Sequence, residues 1–216
     1  MRSLTVCFVG FVTVCALQYA KAAPVQWTVG EGANGHWYEA FEGPSGGISW
    51  TDAQDAAISK GGFLASAATK EENTFVFEQV AFDDKFWNVA GEFSYGPWLG
   101  GYQDRNAPDY SEPAGGWRWL SGDLWSYTNW ATTNEGGQEP NNGAGVEDWL
   151  GYLHFEPGGS GLHKDSTWND YMNYPTGDSI VHSYVVESLV PEPSTFVLLG
   201  MGAIGLLAWA WRRRRA

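Results

Sequence analysis

Ser49-Trp50-Thr51-Asp52-Ala53-Gln54-Asp55-Ala56-Ala57-Ile58-Ser59-Lys60-Gly61-Gly62-Phe63-Leu64-Ala65 passes from helix to strand within 17 residues. Ser49 is placed to cap a helix, with Asp52 at its third position. Trp50, Ala53, Ala56 and Ala57 share one apolar face that runs as far as Lys60. Gly61-Gly62 ends the helix, because a left-handed C-terminal turn favours a residue without a Cβ. Phe63-Leu64-Ala65 then reads as a short buried strand. Upstream, His36-Trp37-Tyr38-Glu39-Ala40-Phe41 alternates and is rich in aromatics, which predicts a first strand. Downstream, Thr69 is positioned to cap a second helix, with Glu71 and Glu72 in a first turn whose dipole favours negative charge. Phe75, Val76 and Val80 form the inner face of that helix. Trp98 to Tyr102 and Gly116 to Leu120 are strand-like. A Gly- and Asn-rich loop from Ala131 to Gly145 follows Trp125-Ser126-Tyr127-Thr128-Asn129-Trp130. Val146 to Leu153 and Ile180 to Glu187 read as late strands. Strand, helix, strand, helix, then strands broken by a long loop define an α+β fold.

The two ends belong to something else. Met1-Arg2, the apolar run Leu4 to Leu17 and Ala20-Lys21-Ala22 have the layout of a secretory signal peptide over residues 1–22. At the other end Phe196 to Trp211 is apolar and is followed by Arg212-Arg213-Arg214-Arg215. Its 16 residues would reach roughly 24 Å as a helix, enough for a short membrane span. The arginines would hold its end in the cytoplasm. Val190-Pro191-Glu192-Pro193-Ser194 precedes the span. Pro-Glu-Pro, apolar helix and arginine cluster, in that order at the C-terminus, closely resemble the PEP-CTERM sorting signal of Gram-negative bacteria. The resemblance implies a signal over 191–216, transient anchoring in the inner membrane, recognition and cleavage by an exosortase, and delivery to the cell surface or extracellular matrix.

Residues 23–190 remain as one domain. Cys7 and Cys15 both fall in the leader, so no disulfide is expected, and the many tryptophans must supply the core by burial. This segment keeps 24 acidic and 6 basic residues, a net charge of −18. A surface that acidic excludes nucleic acid, whose phosphates require Lys and Arg, and is compatible with cation binding.

Within the domain an ordered set of markers carries a family resemblance: Gly35-His36-Trp37-Tyr38, Ser49-Trp50-Thr51-Asp52-Ala53, Gly62-Phe63-Leu64-Ala65-Ser66, Glu71-Glu72-Asn73, Trp98-Leu99-Gly100-Gly101, Trp117-Arg118-Trp119-Leu120-Ser121-Gly122, Tyr127-Thr128-Asn129-Trp130, Glu139-Pro140-Asn141, Glu147-Asp148 and Trp168-Asn169-Asp170. Together they resemble a C-type lectin domain spanning about Gly35 to Glu187. The resemblance implies two helices packed on small antiparallel sheets, with a long loop region that carries a calcium site. Calcium takes six to eight oxygen ligands. Glu139, Asn141, Glu147, Asn169 and Asp170 supply oxygen-bearing side chains, and by resemblance these five hold the sugar-binding ion, with a cis bond before Pro140. Two adjacent sugar hydroxyls would complete the shell. Glu139 and Glu147 would accept hydrogen bonds from them, and Asn141 and Asn169 would donate. The order acid-Pro-amide implies mannose-type sugars.

Three features depart from the family. The four usual cysteines are missing, and Trp149 stands where one would follow Glu147-Asp148. The stretch from Glu147 to Asn169 is about ten residues longer than usual, the extra length lying around Phe155 to Lys164. A second calcium site is left open: Asp148 matches a ligand position, whereas Asp104 is offset and Asn142 is neutral. Other chemistry is less marked. No nucleophile-elbow motif surrounds a serine and no Gly-rich phosphate loop with a lysine occurs. His154 and His163 fit no compact zinc spacing and read as solvated loop residues. Tyr152, Tyr171 and Tyr174 are candidates to stack on a sugar. The expectation is a non-enzymatic, calcium-dependent lectin for a glycan or exopolysaccharide. The alternative is a matrix adhesin or structural protein that binds protein partners and uses calcium only structurally.

Overall fold

The computed structural model describes residues 23–132, 137–159, 161–174, 176–177, 179–189 and 211–213. The expected signal peptide lies outside them, as does the expected span apart from Trp211. Among the described residues no helix is long and apolar enough to cross a membrane.

The opening segment folds as its residues require. Helix α1 runs Trp50–Ser59. Ser49 Oγ accepts from the Asp52 amide at 3.0 Å and donates to Asp52 Oδ2 at 2.6 Å, so cap and third residue satisfy one another. Trp50, Ala53 and Ala57 are buried. Gly61 has φ +77°, and the Gly62 amide returns to Ala57 O at 3.1 Å, closing the end. Strand β3, Phe63–Leu64, follows. Helix α2, Lys70–Phe75, starts at Thr69, whose side chain accepts from the Glu72 amide, and continues as a wider π-helical stretch over Val76–Ala81.

The remaining strands are β1 Val25–Gln26, β2 Trp37–Glu42, β4 Asn88–Ala90, β5 Phe93–Gln103, β6 Trp117–Trp119, β7 Trp149–Phe155, β8 Trp168–Tyr171 and β9 Ser183–Ser188. They pair in the order β1-β2-β9-β5-β7-β8, with β3 on β9 and β4 and β6 on β5. Two antiparallel sets, β1-β2-β9-β3 and β4-β5-β6-β7-β8, meet where Trp98 of β5 lies parallel to Tyr184 of β9. The approach is close. A Cβ on Gly100 would collide with the Leu64 carbonyl oxygen, so this glycine lets β5 run against β3, while Gly101 makes room for Leu150 of β7.

Two apolar clusters fill the interior. Val76 and the partly buried Phe75 bring α2 to one that contains Trp117, Trp119 and Trp168; α1 packs on another around Trp98, Tyr171 and Tyr184. Trp117 stacks on Trp125 at 5.5 Å, and Trp168 meets Trp119 edge-on at 5.7 Å. Each buried aromatic removes about 150–250 Å² from water. At about 25 cal/mol per Å² that is worth about 4–6 kcal/mol, against about 2–4 for a disulfide. Aromatic burial is therefore the contribution that stands in for disulfides in this cysteine-free core. Trp149, in the place where the resemblance expects a cysteine, packs against Trp50 of α1 with ring centroids 4.3 Å apart and planes tilted by 32°. An aromatic contact thus ties the loop region to the helix.

Candidate functional site

Strands β7 and β8 build the site. Their register sets Leu150 opposite Asp170 and Gly151 opposite Asn169, so the Trp168-Asn169-Asp170 triplet is strand rather than turn. Asp170 is fully buried. Its Oδ1 accepts from the Asn141 amide at 3.1 Å and its Oδ2 from the Asn142 amide at 2.7 Å. One strand carboxylate therefore fixes the long loop by its backbone. The Glu139–Pro140 bond is cis. Beyond it Asn142 and Ala144 adopt left-handed φ of 50° and 55°, a conformation that costs non-glycine residues energy and concentrates at functional sites. The tight turn folds Glu147 back: its Oε2 accepts from the Gly143 amide at 2.5 Å, and its own amide donates to Asn142 Oδ1 at 3.1 Å.

Glu139, Asn141, Glu147 and Asn169 line one cavity of about 300 Å³, with Tyr95 and Tyr171 at its wall. Asp170 lies behind them, hydrogen-bonded to the loop that carries Asn141. All five residues singled out from the sequence are thus brought into one neighbourhood. The electrostatics are unfavourable in the absence of a cation. Burial, then the charge of Asp170, pushes Glu139 up to about 8. Burial pushes Glu147 up to about 7, against the opposing hydrogen bond from Gly143. Burial also raises Asp170, against the two loop amides it accepts. Glu139 Oε2 is buried with no hydrogen-bond partner. A buried carboxylate oxygen without a donor is costly. An oxygen-rich donor set with an orphaned carboxylate oxygen fits a hard divalent cation.

Other expectations fall elsewhere. Tyr152 is fully buried, with its hydroxyl 3.1 Å from Asn73 Oδ1, so no sugar can reach it. Tyr171 is buried at the cavity wall, and its hydroxyl donates to Tyr152 O at 3.0 Å. Tyr174 is exposed and donates to Gly46 O at 3.2 Å. Asp148 is held by Arg105, whose Nε lies 2.9 Å from Oδ1. Asp104 Oδ1 accepts from the Asn106 amide at 2.9 Å. Asp148 is thus paired with an arginine, whereas Asp104 caps its own turn. His154 and His163 are not two separate solvated side chains. Their rings stand 5.8 Å apart beside Glu156, a proximity that sequence spacing hides because a turn intervenes.

In architecture the domain is C-type lectin-like, with two helices, joined antiparallel sheets and a loop region carrying oxygen donors beside β8. Residues 189–215 match the family model for the PEP-CTERM protein-sorting motif, which points to export and sorting to the cell envelope or surface. Among solved structures, the chain is similar to the C-type lectin CEL-I from Cucumaria echinata, with 22% identity, 77% of this chain and 97% of that chain covered, and a TM-score of 0.47. It is similar to the cow C-type carbohydrate-recognition domain of CD23, with 19% identity, 72% and 88% covered, and a TM-score of 0.45. It is also similar to the herring type II antifreeze protein, with 21% identity, 73% and 92% covered, and a TM-score of 0.45. Comparison with curated protein sequences gives no match.

Proposed function

We propose that residues 23–190 form a calcium-dependent sugar-binding domain that is exported and then released at the cell surface or into the extracellular matrix by exosortase processing of residues 191–216. The observation that carries this reading is the cavity lined by Glu139, Asn141, Glu147 and Asn169 and backed by Asp170, with one buried carboxylate oxygen of Glu139 unpartnered. Glu139, Asn141, Glu147, Asn169 and Asp170 would hold the ion. When bound, calcium supplies open coordination positions to a pair of sugar hydroxyls. The carboxylates of Glu139 and Glu147 accept hydrogen bonds from those hydroxyls, and the carboxamides of Asn141 and Asn169 donate to them. The order of acid before amide around Pro140 supports a preference for mannose-type sugars, within an exopolysaccharide or surface glycan. Such a site binds and releases without bond-breaking chemistry.

Calcium titration by calorimetry of the wild type and Glu139→Gln tests the metal. Removing one carboxylate charge should weaken binding about tenfold or more, because ligand charge sets calcium affinity. Equal affinities would sink the assignment. A glycan array with calcium and with chelator tests the sugar. Mannose-type binding that disappears on chelation supports the reading. Binding of protein partners that survives chelation, with no glycan retained, would favour an adhesin.

A further inference from the structure

His154 of β7 lies on the other side of the sheet from the oxygen-lined cavity. Side chains alternate along strands, and Phe93, Tyr95 and Leu153 line the cavity while Ser94 and His154, paired in register, face away. On that face the chain leaves β7, turns at Gly158-Gly159 and comes back. The Gly159 amide donates to Glu156 O at 3.0 Å, and the His163 amide to Ser94 Oγ at 3.4 Å. The turn brings a ligand atom from each of His154, Glu156 and His163 within 4.8 Å of one another. Two of the protein's four histidines thus meet at one carboxylate.

We propose that His154, Glu156 and His163 form a binding site for a divalent transition-metal ion of the zinc class, separate from the oxygen-lined cavity. Three observations converge on it. First, His154 Nδ1 stands 3.0 Å from Asp165 Oδ2. With Nδ1–H donating to that carboxylate, the ring presents the Nε2 lone pair, as metal-binding histidines do when a carboxylate orients them. Asp165 is itself fixed, since its Oδ1 accepts from the Thr167 amide at 2.7 Å. Second, His154 Nε2 is buried and has no hydrogen-bond partner. Third, His163 Nε2 and Glu156 Oε2 are 2.9 Å apart, yet Oε2 is buried without a hydrogen-bond donor. The pair is close but misaligned, as two donor atoms are when both address a third centre. Tetrahedral zinc with bonds of about 2.0–2.2 Å sets its ligands roughly 3.3–3.6 Å apart, so small side-chain rotations close the site.

The donor set decides the ion. Two imidazoles and one carboxylate favour zinc and its neighbours, whereas calcium selects oxygen. Three protein ligands leave a fourth position for water, and His163 and Glu156 are half-exposed on that side. The ion would clamp the returning segment to β7, within the stretch around Phe155 to Lys164.

The test uses the full chain, stripped of metal and held in excess calcium so that oxygen sites are filled. Zinc is titrated by calorimetry, and cobalt is followed through its visible d–d absorption as a spectroscopic stand-in. The wild type should take up one more zinc ion than His163→Ala and give a tetrahedral cobalt spectrum that His163→Ala and Glu156→Gln lack. Asp165→Asn, which removes only the orienting carboxylate, should weaken zinc by about 10–100-fold. His163 is half-exposed, so its loss leaves the fold intact, as circular dichroism would register. Identical zinc stoichiometry and affinity in the wild type, His163→Ala and Glu156→Gln would overturn the proposal.

Discussion

Gly143 shows how a single missing side chain serves the cavity. Its amide donates to Glu147 Oε2 at 2.5 Å, and a Cβ built there would stand 2.7 Å from the same oxygen. The obstructed atom is the end of a flexible side chain, so Gly143→Ala moves the carboxylate without disturbing the core. We expect the melting temperature in chelator to stay close to that of the wild type. Calcium affinity should fall about tenfold or more, equivalent to about 1.4 kcal/mol or more. Calorimetry that finds the affinity unchanged would show that the Gly143–Glu147 contact does not set the donor geometry. Asp170 illustrates a different residue-scale point. From sequence it is one of five oxygen donors, and the structure gives it a second duty, the pinning of two loop amides. Substituting it therefore tests folding of the loop as much as binding, whereas Glu139 and Gly143 separate the two.

Helix α2 carries the clearest element-scale surprise. Glu72 occupies the first turn as expected, yet it is buried rather than serving the helix dipole from the surface. Its Oε1 accepts from the Tyr38 hydroxyl at 2.7 Å and from Asn34 Nδ2 at 3.0 Å, and its Oε2 from the Ala68 amide at 2.8 Å. The Tyr38 hydroxyl also lies 3.3 Å from Glu187 Oε1, so two buried carboxyls share one tyrosine. Burial first, then the charge of Glu187, pushes Glu72 from 4.5 up to about 7. The folded protein keeps this proton where the unfolded chain has lost it. Stability from Glu72 is therefore complete below pH about 4.5 and is lost as pH rises through about 7. A displacement of that size corresponds to on the order of 3 kcal/mol. Glu72→Gln should flatten the fall in melting temperature between pH 4.5 and 7.5 relative to the wild type, in calcium throughout. Two parallel profiles would refute the linkage. None of this was legible in the sequence, because Glu72 sits where a surface capping carboxylate would also sit. What was legible rested on local chemistry: Ser49 and Gly61 bracket α1, and Thr69 starts α2. The missed strands, β1, β4 and β8, are only 2, 3 and 4 residues long, too short for an alternating pattern to show in the sequence. The five oxygen-bearing residues that gather at the cavity were picked out through ordered motifs. The His154–Glu156–His163 cluster was not, since a turn rather than a spacing rule joins it.

At the scale of the molecule, charge and core pull in opposite directions. The segment 23–190 carries 24 acidic residues against 6 basic ones, and the cavity concentrates Glu139, Glu147 and Asp170 within the fold. No disulfide can close the long loop, as the cysteines lie only at positions 7 and 15. The loop is held by Asp170, by Trp149 on Trp50 and by Arg105, which donates to Gly145 O at 3.0 Å. A cation that binds the folded cavity and not the unfolded chain must therefore stabilise the whole domain. With free calcium at about 100 times its dissociation constant, the gain is about 2.7 kcal/mol. For a domain of this length about 1 kcal/mol moves the melting temperature by about 2–4 °C, so chelation should lower it by about 5–11 °C. The wild type and Glu139→Gln, each scanned calorimetrically with calcium and with chelator, provide the comparison. A tenfold weaker site still gains about 1.4 kcal/mol at that calcium concentration, so Glu139→Gln should lose about half or more of the calcium-dependent shift and, in chelator, should melt near the chelated wild type. Magnesium should substitute poorly, because it keeps its own waters and demands a tighter octahedron than a loop-borne cavity offers. A melting temperature indifferent to chelator would mean that packing alone holds the loop, and that the carboxylates around Glu139 relieve their repulsion by keeping protons rather than by taking up an ion.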